Sequence, residues 1–241
     1  MLTRRHFIST TTALFSAPIA GAVWAQSDET AAPATAVETP EVATAPEVAP
    51  VRAPTSNPRM WSSWDARVTP ANYDPATSNP WGLHPRFLPQ RVEANDGLVP
   101  GDIHVDAVAR YLYHIAEDGS AMRYGVAIAK GKLYEPGTYT IARKRKWPTW
   151  RPTDAMIKRE PQTYEKHANG MDGGPSNPLG SRALYLYVGN RDTYLRIHGT
   201  PSPRSIGGRA SSGCVRMVMA HINGLYDNVA EGSTAFLYAP E

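Results

Sequence analysis

The chain has 241 residues, 41% of them hydrophobic, enough for one or two domains around one good core. Its single cysteine excludes an intramolecular disulfide and a thiolate metal cage, and no two of its seven histidines stand at H-x-x-x-H spacing, which sets zinc aside. The formal charge of +3 is unevenly spread: residues 26–100 hold five Lys/Arg against nine Asp/Glu, residues 101–241 eighteen against thirteen.

In chain order, Thr3-Arg4-Arg5-His6-Phe7-Ile8 places a twin arginine ahead of a mildly apolar stretch that ends in Val23-Trp24-Ala25. Residues 1–25 read as a cleavable twin-arginine export signal. Ser9 and Thr10 to Thr12 interrupt a stretch that would need roughly 18 apolar residues to span a bilayer. No later segment is apolar for long enough to cross a membrane, so an exported, periplasmic, soluble mature chain is expected. The basic C-terminal half then suits a carboxylate-rich wall polymer rather than nucleic acid.

Residues 26–58 are rich in Ala, Pro, Thr, Glu and Val and hold no aromatic residue, the composition of a disordered, semi-extended linker. Residues 59–100 carry Trp61, Trp64, Tyr73, Trp81 and Phe87 without a sustained helical or strand period. An irregular segment is expected there, packing its aromatics on the domain that follows.

The domain at 101–241 shows short alternating or β-branched runs: Ile103–Val105, Tyr111–Ile115, Tyr124–Ala129, Thr138–Ile141, Ala183–Val188 and Tyr194–His198. Asp118-Gly119 and Gly189-Asn190 are hairpin turn signals. Val218, Ile222, Leu225 and Val229 share one helical face, with Gly232 where a stop belongs, and Thr234–Tyr238 forms a last strand. The expected fold is mainly β, largely antiparallel, with a short helix near the C-terminus.

The chemistry concentrates in Arg196-Ile197-His198-Gly199-Thr200, a Gly/Pro/Ser-rich loop, and Ser211-Ser212-Gly213-Cys214-Val215-Arg216-Met217. A lone thiol sent to an oxidising compartment is a liability unless the sulfur has a task. The loop lets the chain double back, so that His198 comes within reach of Cys214 as its base. No acid lies between the two, so a backbone carbonyl is expected to fix the imidazole tautomer. The amides of Gly213 and Cys214 are candidate oxyanion donors. Arg216, in phase with Cys214, is a candidate for lowering the thiol pKa or binding a substrate carboxylate.

These residues resemble the L,D-transpeptidases with the YkuD-type catalytic domain. The resemblance rests on Ile197-His198-Gly199-Thr200, on Ser212-Gly213-Cys214-Val215-Arg216-Met217, and on Gly174-Pro175-Ser176-Asn177-Pro178-Leu179-Gly180 before the strand at 183. A fourth block, Glu135-Pro136-Gly137-Thr138-Tyr139-Thr140-Ile141, resembles the family's turn into a strand, and the likeness covers about Gly101 to Ala239.

The resemblance implies an L,D-transpeptidase-like mainly β catalytic domain, a β-sandwich or mixed sheets. In it Cys214 attacks the carbonyl of the L-centred third residue of a peptidoglycan stem tetrapeptide and expels D-alanine. A diaminopimelate amine, giving a 3-3 cross-link, or the amine of an outer-membrane lipoprotein then resolves the thioester; water would make it a carboxypeptidase. The carbonyl holding His198 maps to Gly199, and Ser212 and Asn177 join Arg216 as substrate-side candidates. Many members carry a second His where Ser212 stands, so the resemblance carries over no proton-handling role to that position, while its backbone duties carry over. The basic run Arg143-Lys144-Arg145-Lys146 is expected in a loop beside the cleft, and His167 is a further cleft candidate. No motif calls for a cofactor. The rival readings are another wall-directed Cys hydrolase, in whose families the Cys usually precedes the His, and a non-catalytic wall-binding module.

Overall fold

The computed structural model describes residues 58–240, so the export signal and nearly all of the linker expected before them lie outside the described residues. The segment 59–100 differs from its expectation. It opens with helix α1 (Pro58–Val68), on which Trp61, Trp64, Asp65 and Val68 recur at helical spacing and are the less exposed positions. Trp64 meets the fully buried Trp147 edge-on, with ring centroids 5.2 Å apart, and Asp65 makes a two-pronged ion pair with Arg182 at 2.8 and 2.9 Å. A charged residue on the inward face hid the apolar period.

The strands are β1 (Gln90–Glu93), β2 (Ile103–Asp106), β3 (Tyr111–Ile115), β4 (Ser120–Gly125), β5 (Ile128–Ala129), β6 (Gly137–Lys146), β7 (Arg182–Val188), β8 (Arg191–Thr200), β9 (Arg209–Ser211), β10 (Val215–Val218) and β11 (Thr234–Leu237). Nine form one mixed sheet in the order β1-β4-β3-β2-β11-β6-β7-β8-β10, and β5 pairs with β9. Both expected hairpins form, joining β3 to β4 and β7 to β8. Helices α2 (Asp154–Arg159) and α3 (Pro161–Tyr164) lie between β6 and β7, and α4 (Met219–Asn228) follows β10. Ile222 and Leu225 of α4 share one core with Ile103, Val105, Leu112, Ile141, Leu184, Ile197 and Met217. Among the described residues no helix is long and apolar enough to cross a membrane.

Two irregularities shape the site. The β6–β7 ladder slips between Ile141 and Arg143, where Ala142 is the extra residue. Ile141 is fully buried, and the slip turns Arg143 to the opposite face, with its guanidinium 4.3 Å from the centre of the Tyr185 ring. The basic run is therefore not a loop: it is the end of β6, and strand alternation splits it. Lys144 and Lys146 stand over Tyr226 of α4, while Arg143 lies on the other face. The second slip, between β7 and β8, leaves Tyr194 at φ +60°.

Candidate active site

Alternation in β8 sends Leu195 and Ile197 into the core and Arg196 and His198 to the opposite face. The loop at 201–214 returns the chain so that β10 runs parallel to β8, with Val215 opposite Ile197 and Arg216 opposite His198. One step earlier, Cys214 falls beside Arg196. Thiol and imidazole thus project from one face of neighbouring strands, a diagonal apart.

The His198 ring is buried, and its Nδ1 lies 2.6 Å from the Gly199 carbonyl. Donation from Nδ1–H fixes the tautomer that leaves Nε2 as the acceptor. The backbone there is tightly packed: a Cβ on Gly180 would sit 2.7 Å from the Gly199 carbonyl carbon, at φ +63°. Burial, reinforced by the guanidiniums of Arg216 and Arg196, pushes the imidazole down to about 3 against the opposing pull of the Gly199 and Leu179 backbones.

Cys214 is half-buried, with Sγ 3.8 Å from the carbonyl of Tyr194, and no hydrogen bond joins it to His198 among the described residues. Burial pushes the thiol up, against Arg196 and Arg216. Both directions favour a neutral thiol beside a neutral imidazole. Gly213, at φ +152°, packs so that an added Cβ would lie 3.3 Å from Leu195. Its amide donates to Ser211 Oγ over a long 3.4 Å, while that hydroxyl donates to the Cys214 carbonyl.

Arg216 is half-buried and makes no ion pair among the described residues; burial lowers its pKa, against the influence of Cys214 and Tyr164. Ser212 Oγ is 3.0 Å from Tyr164 Oη, so the α2–α3 segment is held to the cysteine turn by a contact with no local sequence signal. Arg196 was also missed. Two residues before His198, it faces the thiol and is clamped by Asp192 at 2.7 and 2.8 Å. Asn177 is fully buried, donating to the Asp172 carbonyl at 2.9 Å and accepting from the Leu179 amide at 2.8 Å, so it shapes the turn before β7. His167 packs edge-on against Trp150 at 5.7 Å. A separate pocket of about 330 Å³, lined by His104, Tyr113 and Arg123 among others, lies toward the other end of the sheet and takes no residue from this constellation.

Residues 100–237 match the model of the YkuD family, the L,D-transpeptidase catalytic domain. The chain belongs to this family. Among its relatives, "Probable L,D-transpeptidase ErfK/SrfK" of Escherichia coli (strain K12) is 28% identical over 61% of this chain and 46% of its own length. "Putative L,D-transpeptidase in ATP synthase subunits region ORF 5" of Fuscovulum blasticum is 34% identical over 50% of this chain and 60% of its own. The chain thus spans about half the length of the curated relatives it matches. A solved structure from Brucella melitensis, described as a "Probable carnitine operon oxidoreductase caia", is 49% identical, covering 63% of this chain and 94% of that one with a TM-score of 0.45. Membership rests on the family match and not on that superposition.

Proposed function

We propose that this L,D-transpeptidase-family chain is an exported, periplasmic acyltransferase of the bacterial wall, with Cys214 as nucleophile. The observation that carries the reading is the placement of Cys214 and a backbone-oriented His198 on one face of paired strands. Cys214 rotates off the Tyr194 carbonyl and attacks the carbonyl of the L-centred third residue of a stem tetrapeptide while His198 Nε2 takes the thiol proton. The developing oxyanion accepts from the amides of Cys214 and Gly213, the latter exchanging its long bond to Ser211. The C–N bond to D-alanine breaks, the imidazolium returns the proton to the departing amine, and a thioester remains. A diaminopimelate or lipoprotein amine then attacks, its proton passes to His198, and the thiol is restored. A neutral resting pair supports a general-base role for His198 during attack, and half-burial without an ion pair among the described residues supports Arg216 as the holder of a substrate carboxylate.

Mass spectrometry of products from a diaminopimelate tetrapeptide, with a Cys214→Ala control, tests this. Cross-linked dimers that have lost one D-alanine, absent from the control, are the expected result. Tripeptide alone would move the reading to a carboxypeptidase. No Cys214-dependent product would sink it in favour of a wall-binding module.

A further inference from the structure

Across the sheet from the thiol runs a row that the proposed chemistry does not use. Arg143 of β6 pairs in register with Tyr185 of β7, Tyr185 with Arg196 of β8, and Arg196 stands beside Cys214. The ring of Tyr185 carries both guanidiniums, Arg143 at 4.3 Å and Arg196 at 4.0 Å from its centre. The two are not equivalent. Arg196 is nearly buried and clamped by Asp192, whereas Arg143 is half-buried and, among the described residues, donates to no carboxylate or carbonyl; its Nε is shielded without an acceptor. It occupies this face only because of the bulge at Ala142. In a strand with unbroken alternation Arg143, two residues after Ile141, would point the way Ile141 does, into the core.

A cation placed on the thiol's face, stacked on Tyr185 and with no anionic partner among the described residues, can take an anion from outside the chain. Tyr185 lies two strands from β10, about 10 Å at the usual strand spacing. A side chain leaving the attacked residue and ending in a carboxylate after three methylenes spans about 7 Å when extended, which brings the carboxylate within a hydrogen bond of a guanidinium over that ring. The geometry points to Arg143 as the specificity residue for the distal carboxylate of a diaminopimelate at the third position of the acyl donor, with Tyr185 holding the guanidinium in place. This rests on the acyl-transfer reading above. The subsite should prefer diaminopimelate over lysine, which carries the amine without the carboxylate, and over diaminopimelate amidated at that group.

The test compares three tetrapeptides, with diaminopimelate, its distal amide or lysine at position three, on the full chain and on Arg143→Met and Arg143→Lys proteins whose thermal melts match it. For the unchanged chain, kcat/KM should be about tenfold or more higher with diaminopimelate than with the other two. Arg143→Met should remove that preference by lowering only the diaminopimelate value, chiefly through KM, with partial rescue in Arg143→Lys. Equal losses on all three peptides, or no discrimination by the unchanged chain, would overturn the subsite. Calorimetric binding of the same peptides to Cys214→Ala protein, with and without Arg143→Met, decides it independently of turnover. If the unchanged chain forms no product, the acyl-transfer reading fails, while these binding constants still show whether Arg143 distinguishes carboxylate from amide.

Discussion

Two histidines of this molecule are buried to a similar degree and both are pushed down to about 3, yet their surroundings are opposites. His198 sits at a strand end with Nδ1 held by the Gly199 carbonyl and with the lone thiol on its own face. His221, on α4, is enclosed by the rings of Trp81 at 5.4 Å, Tyr73 at 6.3 Å and Tyr124 at 6.3 Å, and neither ring nitrogen has a hydrogen-bond partner among the described residues. Burial and a depressed pKa therefore do not mark a working histidine. What separates them is one nitrogen oriented by the backbone, the other left to accept, and the lone thiol in phase on the next strand. His221 acts as a large flat side chain that seats residues 73–88 on α4.

The most direct way to break this comparison is to exchange the roles. His198→Gln should lower turnover by about 10²–10⁴-fold, the usual span for removing a general base. His221→Phe, which keeps the ring and drops both unpartnered nitrogens, should leave turnover within about twofold. Steady-state kinetics on the tetrapeptide, with melts of each variant, checks both; a large activity loss in a well-folded His221→Phe protein would collapse the distinction. Gly213→Ala should follow, with a drop of about tenfold or more. A methyl there meets Leu195 at 3.3 Å on a backbone at φ +152°, displacing the amides offered to the oxyanion. Iodoacetamide labelling of Cys214 sharpens the account of the resting pair. Because burial raises the thiol, the rate should climb with pH beyond the ordinary cysteine range, without the acid-side plateau of a thiolate–imidazolium pair.

The parts of the site legible in the sequence are those where a side chain or a missing Cβ dictates the local backbone. His198, Gly199, Gly213 and Cys214 stood out as candidates because a nucleophile, its base and a tight turn need those residue types, and α4 was readable from Ile222 and Leu225, whereas Val218 ends β10 and Val229 follows the helix. Arg196 was one alternation step from His198 and could have been found by applying strand phase. Arg143 could not: its orientation depends on a bulge at Ala142, and a strand that loses its apolar alternation reads as loop. Nor could the Tyr164–Ser212 contact, which joins residues 48 apart in the chain. Asn177 is a motif position whose burial and turn-forming hydrogen bonds only the tertiary structure reveals. Helix α1 was hidden because Asp65 occupies its inward face, a choice explained only by Arg182, far along the chain.

That ion pair and the buried amide set the scale of the stability effects. Asn177→Ala removes the acceptor of the buried Leu179 amide and should cost about 1–3 kcal/mol, read from a denaturant midpoint. Asp65→Asn should cost less, about 1 kcal/mol, because Asp65 is partly exposed while Arg182 keeps the Ser181 carbonyl.

The pH dependence returns to the two histidines. Each has a folded pKa near 3 against about 6.5 unfolded, so above pH 6.5 both states are neutral and their contribution is fully present. Below it the unfolded chain takes up protons that the folded chain refuses. Stability should therefore fall between pH 7 and pH 5 by roughly 2 kcal/mol for each histidine. His221→Phe removes one of the two and has no ring nitrogen left to desolvate. Its melting temperature at pH 7 should equal or exceed that of the unchanged chain, and its loss on going to pH 5 should be smaller by several degrees. An unchanged slope would mean that His221 is not shut away from protons, and the contrast with His198 would lose its physical basis.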